Sequence, residues 1–459
     1  MTIPQGRLRR TAPLAAASAR AAGGGLVSVL KRRLKGQRGA GLDFHVRNAQ
    51  RYAELLSHSK GVLMKVGQIV SFVDTAPALD RQYGDVYRTA LSSLQADADP
   101  MDPVLVGAVV ESELGRPPEE LFASFSPTPL AAASIGQVHA ARLYDGTEVA
   151  VKVQYPGVAD AIGADLANAE LLLTFVKLAK GFAPQLRNVD VRPIAEELTE
   201  RISEELDYRR ELANQAEFAD HYRGHPFARV PTVFPELSSD RVLTMELARG
   251  RRWTEIADAD QDLRNKWGEA IDRFFFGAIA RFGIFNADPH PGNYLFHDDG
   301  TVTFLDFGCV KRLDDRARRG FWEMPLAALA NDGEWLERVL VEQGFFPAAK
   351  PPPRDKMLAW IRGNFGSLDR PQPFTFTPEF AAETLAHLVS LDKDVMRYVN
   401  VARDFIFANR IYVGLYSILG ALRATADWRA IFDEDVTGVP TTQLGRIEAD
   451  FFARTSPAL

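Results

Sequence analysis

A single cysteine, Cys309, occurs in 459 residues, so the chain can form no internal disulfide. That usage suits a reducing compartment, such as a bacterial cytosol or an organelle matrix, better than an oxidising one. Long apolar runs are missing too. The best membrane candidate, Ile411 to Leu422, has 12 apolar or small residues closed in by Arg410 and Arg423, too few to cross a bilayer. Leu26 to Leu34 is broken by Lys31, Arg32 and Arg33, which argues against a secretory signal. Acidic residues are absent before Asp43, whereas residues 1–42 carry nine Lys/Arg. By difference from the net charge of −6, the rest of the chain carries −15. An acidic body argues against a general nucleic-acid binder. The basic arm fits an anionic membrane surface, a mitochondrial transit peptide or a solvated tail, and these three readings stay open.

With 46% hydrophobic and 25% charged residues, the chain can bury a sizeable core. The expected fold class is α+β, in five regions. These are a flexible basic arm at 1–42, a helical extension at 43–124, and a small strand-containing lobe with a helical insertion at 125–250. A helical lobe carrying two polar loops at 251–345 and a helical region at 346–459 follow. Apolar spacing from Phe44 to Val73 predicts one or two helices. Met101 to Leu114 reads as a helix opened by Asp102 and Pro103 and stopped by Gly115 and Pro117-Pro118. From Val138 the period falls to two, and a turn at Asp145-Gly146 leads into Glu148 to Val153, which predicts a hairpin. Helical spacing returns over Ala159 to Lys180 and Pro193 to Tyr222. Short strands are expected at Arg241 to Glu246 and Thr301 to Leu305, around the Gly/Pro-rich Asn286 to Asn293.

Asp288-Pro289-His290-Pro291-Gly292-Asn293, followed by an apolar strand and Asp306-Phe307-Gly308, is the most informative stretch. Phosphoryl transfer needs an acidic group to orient the attacking hydroxyl or water, and oxygen ligands to hold a divalent metal against the phosphates. In protein kinases a catalytic-loop Asp and Asn stand five residues apart, and a metal-binding Asp-Phe-Gly follows a short strand later. Asp288, Asn293 and Asp306 repeat that order. Taken alone, Asp-Phe-Gly is a common turn tripeptide whose bland role is loop capping. Val149-Ala150-Val151-Lys152 matches the strand lysine that meets the α/β-phosphates, although a strand lysine between two valines more often faces solvent.

An acidic partner for Lys152 is expected in Glu204 to Asn214, where Glu204, Asp207 and Glu211 would share one helical stripe with Glu205 beside it. A charged stripe is usually a solvated face. The phosphate-covering loop carries no G-x-G-x-x-G and has Ala131-Ala132-Ala133-Ser134 instead, so its methyl groups keep backbone N–H groups from approaching phosphates as closely as glycines allow. Met245, Glu246 and Leu247 are expected as the hinge that meets adenine. The cofactors expected are ATP and Mg²⁺. His290 reads as a residue that fixes its own loop and Cys309 as a small buried one.

With Lys65-Val66-Gly67-Gln68, these residues resemble the UbiB (AarF-like) atypical kinase family over about residues 45 to 310. The resemblance implies a bilobal protein-kinase-like fold with a small strand-containing lobe, a helical lobe and a family-specific N-terminal helical extension. It implies Glu205 as the partner of Lys152, Asp288 as the catalytic-loop acid, and Asn293 and Asp306 as Mg²⁺ ligands. Lys65 and Gln68, with Asp207 and Glu211, would form a gate over the active site. The activity implied is that of an unorthodox kinase or ATPase in ubiquinone or other prenyl-lipid metabolism. A lipid or quinone precursor, or quinone-biosynthesis proteins, would be its partners. The expected location is cytoplasmic, or mitochondrial in a eukaryote, with peripheral membrane contact through the basic arm. Aminoglycoside or choline kinases share the Asp-x-His-x-x-Asn loop but have no place for the Lys65/Gln68 helix. A nucleotide-gated scaffold without turnover is the reading from another class.

Overall fold

The computed structural model describes residues 101–133, 135–159, 204, 206–347, 349, 351–389 and 403–455. The basic arm, the extension up to residue 100 with Lys65 and Gln68, the helix expected over Ala159 to Lys180 except Ala159 itself, Ser134 and Glu205 lie outside the described residues. The chain divides into two units. One comprises Met1–Leu212 and Val233–Leu247, the other Ala213–Thr232 and Ala248–Leu459.

In the first unit, helix α1 (Pro103–Leu114) starts where the sequence places it. The Asp102 carboxylate accepts from Val104 N at 2.9 Å, and Gly115 at φ 76° closes the far end. Strands β1 (Ser124–Ala132), β2 (Gly136–Arg142), β3 (Glu148–Gln154) and β4 (Val242–Glu246) then form an antiparallel sheet in that order. Along β3, Val149, Val151 and Val153 are fully buried on one face, and Ala150 and Gln154 are buried on the other. Both faces are therefore covered around Lys152. The predicted turn has Gly146 at φ 92°, with the Asp145 carboxylate accepting from Thr147 N.

The alanine run is a strand end rather than a loop, since Ala131 and Ala132 pair with Val138 and Gln137. Small side chains on an edge strand offer nothing to stop pairing before the turn, where Ala133 N bonds Gly136 O at 2.9 Å. Gly136 itself is required by its neighbour. A Cβ there would stand 2.1 Å from Val153 O, closer than any side chain tolerates.

Helix α2 (Tyr208–His221) crosses the division between the units. The continuous helix expected from Pro193 to Tyr222 is interrupted, because Leu206 is a turn and the exposed Asp207 accepts from Arg210 N at 3.0 Å. Asp207 therefore restarts the helix as its N-cap, and Glu204, Asp207 and Glu211 do not share one stripe.

The second unit is built on α3 (Gln261–Phe282), whose Trp267, Phe274, Phe275 and Ile279 are buried. Phe274 stacks on Phe304 with ring centroids 3.6 Å apart. Gly283 at φ 66° ends α3 and turns the chain into β5 (Ile284–Asn286), followed by β6 (Tyr294–Phe296), β7 (Val302–Phe304) and β8 (Val310–Arg312). Antiparallel pairing joins β6 to β7 and β5 to β8. The loop from β5 to β6 and the loop from β7 to β8 thus run between the same two strand pairs, which sets them side by side.

Helices α4 (Asp315–Leu329), α5 (Gly333–Glu342), α6 (Arg354–Asn364), α7 (Pro378–Val389), α8 (Arg403–Leu422), α9 (Trp428–Thr437) and α10 (Gln443–Thr455) follow. Among the described residues no helix is long and apolar enough to cross a membrane. Arg273, 1% exposed on α3, pairs with Glu269 at 2.9 Å, Glu434 of α9 at 2.8 Å and Glu448 of α10 at 3.4 Å. Arg281 reaches the same Glu448 at 2.9 Å. This buried network ties the last two helices to α3, because removing any one partner would strand a charge away from water.

Candidate active site

Lys152 is fixed first by its strand, where Val138 and Leu243 flank it in register. Its ammonium donates to both carboxylate oxygens of Glu211 at 2.8 Å. The side chains are 12% and 3% exposed, so the lysine does not face solvent, against the usual fate of a strand lysine. Tyr208, one turn before Glu211 on α2, brings its ring to 5.0 Å from the same ammonium. A pair withdrawn from water in this way holds the cation in one place, since neither charge is stable there alone.

The resemblance assigned Glu205 to Lys152 and placed Glu211 in the gate. The structure puts Glu211 on the lysine, and Glu205 lies outside the described residues. The start of the helix explains the Glu211 contact: with Asp207 as its cap, Tyr208 and Glu211 fall on one face, and that face meets Lys152. Asp207 itself is exposed and serves the helix end. Of the expected hinge residues, Met245 is buried opposite Ala150 and Glu246 is exposed. Leu247 has its amide committed to Glu148 O at 3.0 Å, so that N–H is not a donor for adenine.

In the second unit Asp288, Asn293 and Asp306 are all half-buried. Asp288 and Asn293 belong to one loop and Asp306 to its neighbour, and the backbone joins the two. Leu305 N donates to Asn293 O at 3.0 Å, and Ala287 N to Cys309 O at 2.7 Å. Asn286, 3% exposed, spans both loops with one side chain. Its NH₂ donates to Asp306 O, and its oxygen accepts from Asp288 N at 2.9 Å.

Within the first loop, His290 Nδ1 accepts from Gly292 N at 3.1 Å, and Asn293 N bonds His290 O. The imidazole thus fixes the turn that presents Asn293. The Asp306 carboxylate accepts from Gly308 N at 3.0 Å. Phe307 is fully buried against Phe218, with ring centroids 5.0 Å apart. Cys309 is buried. Burial, and then the nearby charge of Asp288, hold the Tyr294 phenol well above its ordinary range, so it stays un-ionised beneath the loop.

Sequence reasoning missed Asn286 and Asn214. The first carried a faint signal, since an Asn two residues before an acid can accept from that residue's N–H in an Asx turn. Asn214, which donates to Phe307 O at 3.0 Å, carried none.

The arrangement places a buried lysine–carboxylate pair in one unit. In the other it places a carboxylate, an amide oxygen and a second carboxylate on two bonded loops. Residues 93–340 match the ABC1 atypical kinase-like domain. Atypical kinase COQ8B, mitochondrial, of Rattus norvegicus is 34% identical over 342 residues, covering 72% of this chain and 61% of that protein. Atypical kinase COQ8, mitochondrial, of Saccharomyces cerevisiae is 35% identical over 265 residues, covering 58% and 51%. The chain spans between 36% and 61% of the length of the curated relatives that lead the comparison. A solved structure, the complex of Rv3197 with erythromycin from Mycobacterium tuberculosis, is 28% identical with a TM-score of 0.59, covering 92% of this chain and 97% of that one. With more than half its length inside the domain match and a kinase-like α+β structure to carry it, the chain belongs to the ABC1 atypical kinase-like family.

Proposed function

We propose that the chain is a Mg²⁺-dependent atypical kinase or ATPase that binds ATP and serves ubiquinone or another prenyl-lipid metabolism. The observation that carries this reading is the buried Lys152–Glu211 pair, the side-chain pair by which kinases hold the phosphate-binding lysine ready. Lys152 meets the α/β-phosphates, and Asp288 orients the acceptor hydroxyl or water and accepts its proton at the carboxylate. Asn293 and Asp306 would hold Mg²⁺. An amide oxygen and a carboxylate suit it, being hard donors, and a set of only two protein ligands leaves places for phosphate oxygens and water. When bound, the metal neutralises the charge that develops on the transferred phosphoryl group.

Phosphate release from Mg-ATP by the purified full chain is the test. Turnover in the wild type, lost in Asp306→Asn, supports the reading. No turnover in the wild type, or equal turnover in both, rejects it in favour of a scaffold. Comparing quinone precursors by mass spectrometry in cells carrying either version then identifies the pathway.

The solved neighbour is a complex with erythromycin, which favours a small-molecule ligand for this fold. A macrolide-dependent change in phosphate release would extend that to this chain. Residues 1–42 are assigned to the surface of an anionic membrane, because Leu26, Leu30 and Leu34 recur at i, i+4, i+8 among nine positive charges. A chain starting at Asp43 should co-sediment less with anionic vesicles than the full chain, and equal co-sedimentation removes that assignment.

A further inference from the structure

We infer that Asn214 is a positioning residue for the metal loop, and that this loop stands in its metal-presenting conformation before any ligand arrives. The inference rests on the assignment of Asp306 to the metal. Asn214 is 2% exposed on α2, and its side-chain NH₂ donates to Phe307 O at 3.0 Å. Its oxygen accepts from both terminal nitrogens of Arg312 at 3.4 Å, and Arg312 is itself paired with Glu217.

A guanidinium has donors only, so the amide oxygen of Asn214 must face Arg312 and the NH₂ must face the Phe307 carbonyl. On the other side the same logic fixes Asn286. Its oxygen faces the Asp288 N–H, which leaves its NH₂ for the Asp306 carbonyl. Two consecutive carbonyls of the loop, those of Asp306 and Phe307, are thus each held by a buried amide whose orientation is determined.

Turning the loop over to withdraw Asp306 would strip both carbonyls of their donors, which buried groups resist. It would also draw the fully buried Phe307 ring from Phe218 and Phe274. Asn214 therefore supports metal binding without touching the metal.

The experiment measures nucleotide affinity of the full chain with a fluorescent ATP analogue, in Mg²⁺ and in EDTA, for the wild type, Asp306→Asn and Asn214→Asp. Asn214→Asp keeps shape and its contact with Arg312 but sets a carboxylate oxygen against the Phe307 carbonyl. The enhancement of affinity by Mg²⁺ should fall about tenfold, with affinity in EDTA within about twofold of wild type. Full enhancement in Asn214→Asp alongside its loss in Asp306→Asn overturns this inference alone. No enhancement in the wild type removes the metal reading and the inference together. A loss equal in Mg²⁺ and EDTA marks Asn214 as merely structural. Hydrogen exchange of the wild type adds a measurement that needs no variant. Slow exchange of the Gly308 amide without ligand, unchanged by Mg-ATP, is expected. An amide that exchanges fast and becomes protected only on Mg-ATP addition shows a loop that is not preset.

Discussion

Lys152 and Asp306 are held by different means, and the difference separates chemistry from stability at one of them only. In the first unit the candidate group is a long, flexible side chain bonded by another side chain's charge, Glu211 at 2.8 Å. In the second unit the candidate carboxylates ride on loops fixed through their main chain, by paired strands and by the amides of Asn214 and Asn286. Loss of the Asp306 charge leaves the main-chain supports of its loop in place. A charge lost from the Lys152–Glu211 pair takes away the countercharge that its buried partner bonds.

Asp306→Asn should show the largest effect of any single change. An amide keeps the shape and the loop, and removes the charge that would hold Mg²⁺ against the phosphates. Turnover should fall about a thousandfold, or roughly 4 kcal/mol of transition-state stabilisation, with stability to urea within about 0.5 kcal/mol of wild type. A variant that turns over normally would remove the metal assignment. One that unfolds would erase the contrast between the units.

Glu211→Gln should come next and should behave in the opposite way. Breaking a buried pair by removing one partner costs about 3 kcal/mol, and a urea titration should register it alongside the loss of turnover. Adding Lys152→Met should recover much of that stability and none of the activity, because the buried charge that Glu211 matched goes with the lysine. If Glu211→Gln instead costs activity alone, Lys152 has enough access to water to stand without its partner, and the two units differ less than their burial indicates.

What the sequence made legible was local. Asp102 and Gly115 bounded α1 because caps act within four residues. Asp145-Gly146 marked the hairpin through its own φ requirement, and the spacing of Asp288, Asn293 and Asp306 put them on two loops, which the structure sets side by side. What stayed hidden depended on partners far along the chain. Asn214 serves a carbonyl 93 positions away, and Arg273 meets acids 161 and 175 positions on. No periodicity encodes such pairs, and a stripe count treats Arg273 as an error in an apolar face. The place of Glu211 turned on a single cap. Read as one helix, the acids form a band; with Asp207 at the helix start, only Glu211 is one turn in and beside Tyr208. The alanine run misled for the opposite reason. Its lack of glycine was informative, but a loop was expected where short side chains simply let the strand continue.

Asp102→Ala should give the smallest effect and sharpens the comparison from the side of the scaffold. The Asp102 carboxylate satisfies the Val104 N–H at the start of α1, which no intrahelical carbonyl can reach. Its loss should cost about 1 kcal/mol. Helix α1 buries Val106 and Val110 and packs on β3 and β4, so it supports the strand that carries Lys152 without touching the lysine. If the ion pair alone holds Lys152, the variant should melt earlier and turn over like wild type at temperatures where both are folded. A fall in turnover under those conditions, with affinity for nucleotide reduced in step, would mean that the pose of β3 also positions the lysine. The first unit would then rely on its backbone as the second does, and the contrast between them would narrow to the chemistry of the partner that each uses.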